Sequence, residues 1–102
     1  MLNFIKSLFG PSIDYKAMVL KGAIIIDVRS PQEFDNGHIK GSKNIPVNII
    51  QREVNGIKKM GKPIITVCQS GGRSSMAKTI LKKQGIEAYN GGSWFKLNSK
   101  LI

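Results

Sequence analysis

Ile64-Ile65-Thr66-Val67-Cys68-Gln69-Ser70-Gly71-Gly72-Arg73-Ser74 joins an apolar, β-branched run to a glycine-rich loop that closes on an arginine. The run reads as a buried strand ending at Cys68. A helix follows from Gly72 or Arg73 to Gln84, with Met76, Ala77, Ile80 and Leu81 toward a sheet and Gly85 as its C-cap. Such a strand–loop–helix junction aims several backbone N–H groups and a positive helix end at one point in space. Cys68, the only cysteine of the chain, stands at that point.

Outward from this junction the pattern repeats. Ala23-Ile24-Ile25-Ile26-Asp27-Val28 is a second continuous apolar run, the pattern of a central parallel strand covered on both faces. Asp14 to Lys21 before it reads as a short helix, with Met18, Val19 and Leu20 partly buried and Gly22 as its stop. Ser30-Pro31-Gln32-Glu33 after it is a capping box with Pro at the first helical position, and Gly37 ends that helix. Gly41 to Pro46 holds a short extended piece. Asn48 to Met60 has helical spacing at Ile50, Val54 and Ile57, weakened by Gly56. Ile86 to Tyr89 reads as a third strand, Asn90-Gly91-Gly92 as a tight turn, and Ser93 as the N-cap of a final helix carrying Trp94, Phe95 and Leu97. Strands alternating with helices predict an α/β domain with a small, mainly parallel central sheet flanked by helices.

At 102 residues the chain can bury one core. The expected organisation is an N-terminal arm over residues 1–11 and a single domain over 12–102. The arm is apolar with helical spacing, and Phe4, Ile5, Leu8 and Phe9 could share a face. It lacks the cationic start and cleavage site of a signal peptide and is too short to span a bilayer. Packing on the domain is the reading preferred over an interfacial anchor. A single cysteine rules out an intramolecular disulfide framework, a cysteine-based metal cage and a CxxC dithiol within the chain. A lone free thiol fits a reducing, cytoplasmic setting. The net charge of +10 attracts small anions, but the lysines are scattered and no array of aromatics interleaves them. Nucleic-acid binding is therefore not expected.

The loop carries the chemistry. Loop amides, the helix end and Arg73 all favour an ionised sulfur, and comparable sites lower a thiol pKa from about 8.5 to roughly 3.5–7.5. The helix end alone supplies about 0.3–1 kcal/mol. Cys68 is the candidate nucleophile, with Gln69, Ser70, Gly71, Gly72, Arg73 and Ser74 as the candidate substrate-binding loop. Arg73 has two readings, steering of an anionic donor or a salt bridge that braces the loop. His38, the only histidine, reads as an imidazole bonded to backbone in its own turn rather than as a general base for Cys68. Nothing in the pattern calls for a metal or a cofactor.

Three motifs in order resemble the rhodanese-like sulfurtransferases. Cys68-Gln69-Ser70-Gly71-Gly72-Arg73-Ser74 is similar to that family's C-x-x-G-x-R-S loop. The stretch from Asp27-Val28-Arg29 through Glu33-Phe34 and Gly37-His38-Ile39-Lys40-Gly41 to Asn44-Ile45-Pro46 resembles its D-V-R…E-[FY]…G-H-I-x-G-A-x-N-I-P signature, with Ser42 in place of the usual Ala. Tyr89-Asn90-Gly91-Gly92-Ser93-Trp94 is a third, weaker match. The resemblance implies a three-layer rhodanese-like domain that moves sulfane sulfur through a Cys68 persulfide. The implied donor is a small anion such as thiosulfate, and the implied acceptor is cyanide or a thiol, a thioredoxin-like or other acceptor protein included. Asp27, Arg29 and Glu33 are expected to be mainly structural, with Arg29 and Glu33 pairing across the turn. Trp94 is expected in the core.

Two rivals stand beside this reading. Phosphatase or arsenate reductase loops of the C-x5-R kind have five residues between Cys and Arg; here four intervene, Gln69 to Gly72, and no aspartate general acid is evident. The other rival is a sulfur-carrier or protein-interaction module with weak thiosulfate turnover, docking through its basic surface.

Overall fold

The computed structural model describes residues 12–102; the expected N-terminal arm lies outside them. The chain runs α1 (Tyr15–Leu20), β1 (Ile24–Asp27), α2 (Pro31–Asp35), β2 (Lys43–Asn44), a 3-10 turn (Ile50–Glu53) leading into α3 (Val54–Lys59), β3 (Ile64–Cys68), α4 (Gly72–Lys83), β4 (Ala88–Ser93) and α5 (Trp94–Leu101). The four strands form one parallel sheet in the order β2-β1-β3-β4.

The apolar runs explain the layering. Successive residues of a strand point to opposite faces, so a run without polar interruption needs cover on both. Ile26 and Val28 of β1 and its extension, with Ile64 and Cys68 of β3, pack with Ile50, Val54, Ile57, Ala77 and Leu81 on one side. Ile25, Ile65 and Val67 face the other side, against Ile39 and Leu97 with Tyr15, Met18, Val19 and Leu101 around them. Helices α3 and α4 thus cover one face and α1 and α5 the other, the expected three-layer α/β arrangement.

The local signals act where the sequence puts them. Ser30 Oγ accepts the Glu33 N–H at 3.2 Å while Glu33 Oε1 accepts the Ser30 N–H at 3.1 Å, closing the capping box of α2. Asp14 caps α1 and Ser93 caps α5.

Four expectations are corrected. Leu20 is 79% exposed and Met76 59% exposed. At about 100° per residue, the stripe of α1 set by Tyr15, Met18 and Val19 leaves Leu20 outside. That of α4, set by Ser74, Ala77 and Leu81, likewise leaves Met76 outside. The segment expected as one helix from Asn48 to Met60 begins with turns, Ile49 N–H to the Pro46 carbonyl and Arg52 N–H to that of Ile49, and becomes α-helical only at Val54. Lastly, Asn90-Gly91-Gly92 does not turn. It continues β4 through a bulge, with Asn90 opposite Thr66 and Gly92 opposite Val67, so Gly91 is the extra residue.

Candidate active site

Cys68 is the last residue of β3, paired with Ser93 of β4, at the carboxyl edge of the sheet where open α/β sheets place their ligands. The loop Gln69–Gly71 reverses the chain into α4. Gly71 makes that reversal with φ +108°, a left-handed conformation that glycine adopts without a Cβ clash. Gly72 has ordinary helical φ and open space where a Cβ would stand. One glycine of the pair is therefore required by the turn, not both.

The reversal brings donors onto the sulfur. The Gly71 N–H donates to Cys68 Sγ at 3.0 Å and the Ser74 N–H at 3.4 Å, while Ser74 Oγ lies 3.3 Å away. The cysteine is 1% exposed. Burial pushes its thiol up. Hydrogen bonds from the Ser74 hydroxyl and from the N–H groups of Ser74, Gly71 and Ser70 pull it down and prevail, so the thiol ionises below its ordinary value. Gln69, Ser70 and Gly72 are exposed around this cradle.

Arg73 is paired with Glu33 of α2. Its Nη1 and Nη2 donate to Glu33 Oε1 and Oε2 at 2.7 and 3.0 Å, tying the loop's helix to α2. The expected Arg29–Glu33 pair does not form, because each partner is committed to another group. Arg29 is buried beside Asp27, with Nη2 to Oδ2 at 2.7 Å and Nε to Oδ1 at 2.9 Å. It also donates to the Gly37 carbonyl at 2.7 Å and lies 4.7 Å from the centre of the Trp94 ring. Trp94 is half-buried against the core as expected. His38 Nδ1 sits 2.7 Å from the Phe34 carbonyl and its ring stacks on Phe34 at 3.6 Å, the local backbone role read from its turn.

Asn90 was not singled out by the sequence. Its Oδ1 accepts the Ser74 hydroxyl at 2.6 Å and the Gly92 N–H at 3.0 Å, and its Nδ2 donates to the Gly71 carbonyl at 3.2 Å. Thr66 adds a second tie, Oγ1 to the Ser74 carbonyl at 2.8 Å. The Asn-Gly pair signals a turn in sequence, which masks an asparagine reaching from the neighbouring strand into the loop. Among the described residues no cluster of His, Cys, Asp and Glu is arranged to hold a metal.

Comparison with known proteins places this geometry. Residues 13–96 match the rhodanese-like domain family. The chain belongs to that family. An uncharacterised Bacillus subtilis protein, YqhL, is 43% identical over 75 residues, covering 72% of this chain and 59% of that protein, so the chain spans less than two thirds of that relative. The thiosulfate sulfurtransferase GlpE of Stutzerimonas stutzeri is 34% identical over 82 residues, covering 79% of this chain and 74% of that enzyme. The crystal structure of a rhodanese-like domain protein from Staphylococcus aureus superposes with a TM-score of 0.71 at 29% identity, over 82% of this chain and 83% of that one. In this rhodanese-like domain the resemblance read from the three motifs thus extends over residues 13–96. No helix among the described residues is long and apolar enough to cross a membrane.

Proposed function

We propose that this rhodanese-like domain is a sulfurtransferase that carries sulfane sulfur on Cys68. The Cys68 thiolate attacks the outer sulfur of an anionic donor such as thiosulfate. The donor's S–S bond breaks, sulfite leaves with the bonding pair, and Cys68 holds a persulfide. A thiophilic acceptor, cyanide or a thiol, then attacks the terminal sulfur and releases the Cys68 thiolate. No electron is gained or lost overall.

The observation that carries this reading is the convergence of the Gly71 and Ser74 N–H groups and the Ser74 hydroxyl on one buried sulfur. Fixed donors of this kind stabilise an anionic sulfur without metal or cofactor. The net charge of +10 raises the local concentration of anionic donors. The chain's relation to an enzyme named for thiosulfate sulfur transfer supports the same chemistry.

Intact mass after incubation with thiosulfate tests it. The protein gains one sulfur atom, dithiothreitol or cyanide removes it, and Cys68→Ser gains none. Rapid thiocyanate release marks an enzyme turning over, whereas a loaded persulfide without turnover marks a carrier. An unchanged mass with thiosulfate and with a low-molecular-weight persulfide overturns both.

A further inference from the structure

The Ser74 hydroxyl has one hydrogen and three acceptors. Asn90 Oδ1 lies at 2.6 Å, the Gly71 carbonyl at 3.1 Å and Cys68 Sγ at 3.3 Å. The shortest contact, to Asn90, takes the hydrogen when the cysteine is a thiol, and the S–H then donates to Ser74 Oγ. A chain of donation therefore runs from Cys68 through Ser74 to Asn90. A thiolate has no hydrogen to give and needs one. When the proton leaves the sulfur for solvent, the S–H···O bond is lost, and the sulfur gains the hydroxyl's hydrogen in its place if the hydroxyl turns from Asn90 toward Sγ. A hydrogen bond to a charged acceptor is stronger than one to an amide oxygen.

We infer that the Ser74 hydroxyl is a two-position switch, resting on Asn90 Oδ1 and turning to Cys68 Sγ as the sulfur ionises, and that Asn90 is thereby a positioning residue for the cysteine. Asn90 acts in two opposed ways. Its Oδ1 competes for the hydroxyl and favours the thiol. Its Nδ2 holds the Gly71 carbonyl and so keeps the left-handed Gly71 N–H on the sulfur, favouring the thiolate. Oδ1 is not orphaned by the switch, because it keeps the Gly92 N–H at 3.0 Å.

The charged groups around the site are already paired. Arg73 of α4 is bound to Glu33 of α2, and Asp27 of β1 to the buried Arg29. From α1, the Tyr15 hydroxyl donates to the Asn90 carbonyl, and His38 is stacked on Phe34. The Ser74 hydroxyl can respond to charge on the sulfur by rotation alone.

This inference rests on the thiolate reading of Cys68, but its test needs no sulfur donor. Cys68 is the only cysteine, so thiolate ultraviolet absorbance against pH reports its ionisation directly. It is measured in the parent, Ser74→Ala, Asn90→Ala and the double variant. Ser74→Ala should make ionisation harder. Asn90→Ala should favour the thiolate more when Ser74 is present than when it is alanine, by about three- to tenfold in the ionisation constant, the worth of one hydrogen bond. Additive effects, or coupling of the opposite sign, overturn the switch.

A second measurement avoids any unfolding of Asn90→Ala. As the thiolate forms in the parent, the Gly92 amide proton should move downfield, because it becomes the principal donor to Asn90 Oδ1. The step should vanish in Ser74→Ala. An equal step in both proteins reports only the field of the sulfur and overturns the switch, as does no step in the parent. A parent thiol that ionises like free cysteine instead refutes the thiolate reading, while the coupling remains measurable.

Discussion

Arg73 of α4 and Glu33 of α2 clasp each other at two points, Nη1 to Oε1 at 2.7 Å and Nη2 to Oε2 at 3.0 Å. Glu33 has a second task, since the same carboxylate closes the capping box on Ser30. The start of α2 and the start of α4 are therefore held by one side chain. A guanidinium engaged in this way has the geometry of a brace between the two helix starts.

The first prediction follows from that engagement. Arg73→Ala should lower stability by about 1 kcal/mol, because both side chains are more than a third exposed and solvent screens the pair. For a domain of this size that is roughly 4–8 °C in Tm. Arg73→Lys should fail to restore it, since an ammonium cannot make the two parallel contacts. Thermal melts decide this. A Michaelis constant for thiosulfate that rises and loses salt sensitivity, with Tm unchanged, would instead make Arg73 a donor-binding group.

Glu33 gives the pair a pH signature. Hydrogen bonds from the Arg73 guanidinium, with the Ser30 N–H next, hold its carboxyl at about 2 against an ordinary 4.5. Because the folded value is the lower one, the folded state binds fewer protons. The stabilisation is complete above about pH 4.5 and drains as pH falls toward 2. Glu33→Gln should be less stable at neutral pH and should lose less stability between those limits. Urea midpoints measured across that range check it; parallel curves for parent and variant would contradict it.

The cradle predicts reactivity. Alkylation of Cys68 by iodoacetamide should show its inflection below the value of about 8.5 for a free thiol, the direction set by donation from Ser74, Gly71 and Ser70 against burial. Gly71→Ala should move the inflection upward, because φ +108° is strained for alanine and relief of that strain turns the N–H off the sulfur. An inflection unchanged in Gly71→Ala would mean that this N–H contributes little.

How much of this was legible depends on the range over which each signal acts. Strands β1 and β3, the Ser30–Glu33 capping box and the helix after Cys68 are coded by adjacent residues, and all appear where the sequence places them. The Glu33–Arg73 and Asn90–Ser74 contacts join residues brought close only by the parallel order of the strands, and no local pattern announces them. Gly91 misleads for a related reason. Beside Asn90 it reads as turn chemistry, but its cause is a neighbour: a Cβ there would stand 2.8 Å from Ile65 Cγ2 and 3.0 Å from both the Thr66 carbonyl oxygen and Val67 Cγ1.

Gly91→Ala should accordingly be destabilising by about 1–3 kcal/mol, the usual cost of forcing an added group into a packed interior. The atoms it meets belong to β3, whose last residue is Cys68, so the strain should also disturb the cradle. Chemical denaturation with thiol alkylation on the same variant tests both. A stable variant with unaltered alkylation would show that the bulge can open at little cost.

Asp27 and Arg29 supply the last and largest predicted effect. Asp27 is fully buried, and its carboxylate accepts from Arg29 Nε, from Arg29 Nη2 and from the Arg29 N–H at 3.1 Å. Removing either side chain strands the other charge in the core, at a cost of about 3–5 kcal/mol. That is a large fraction of the roughly 5–15 kcal/mol that holds a domain folded. Arg29 also holds the Gly37 carbonyl and lies over Trp94, so Arg29→Ala additionally loosens the turn after α2. Asp27→Ala leaves those groups in place but gives Arg29 a reason to turn toward water. The double variant leaves no stranded charge and should therefore lose clearly less than the sum of the single losses. Urea denaturation of the two single variants and the double closes the cycle; losses that simply add would mean the two charges are not held in the dry, mutually dependent pair seen here.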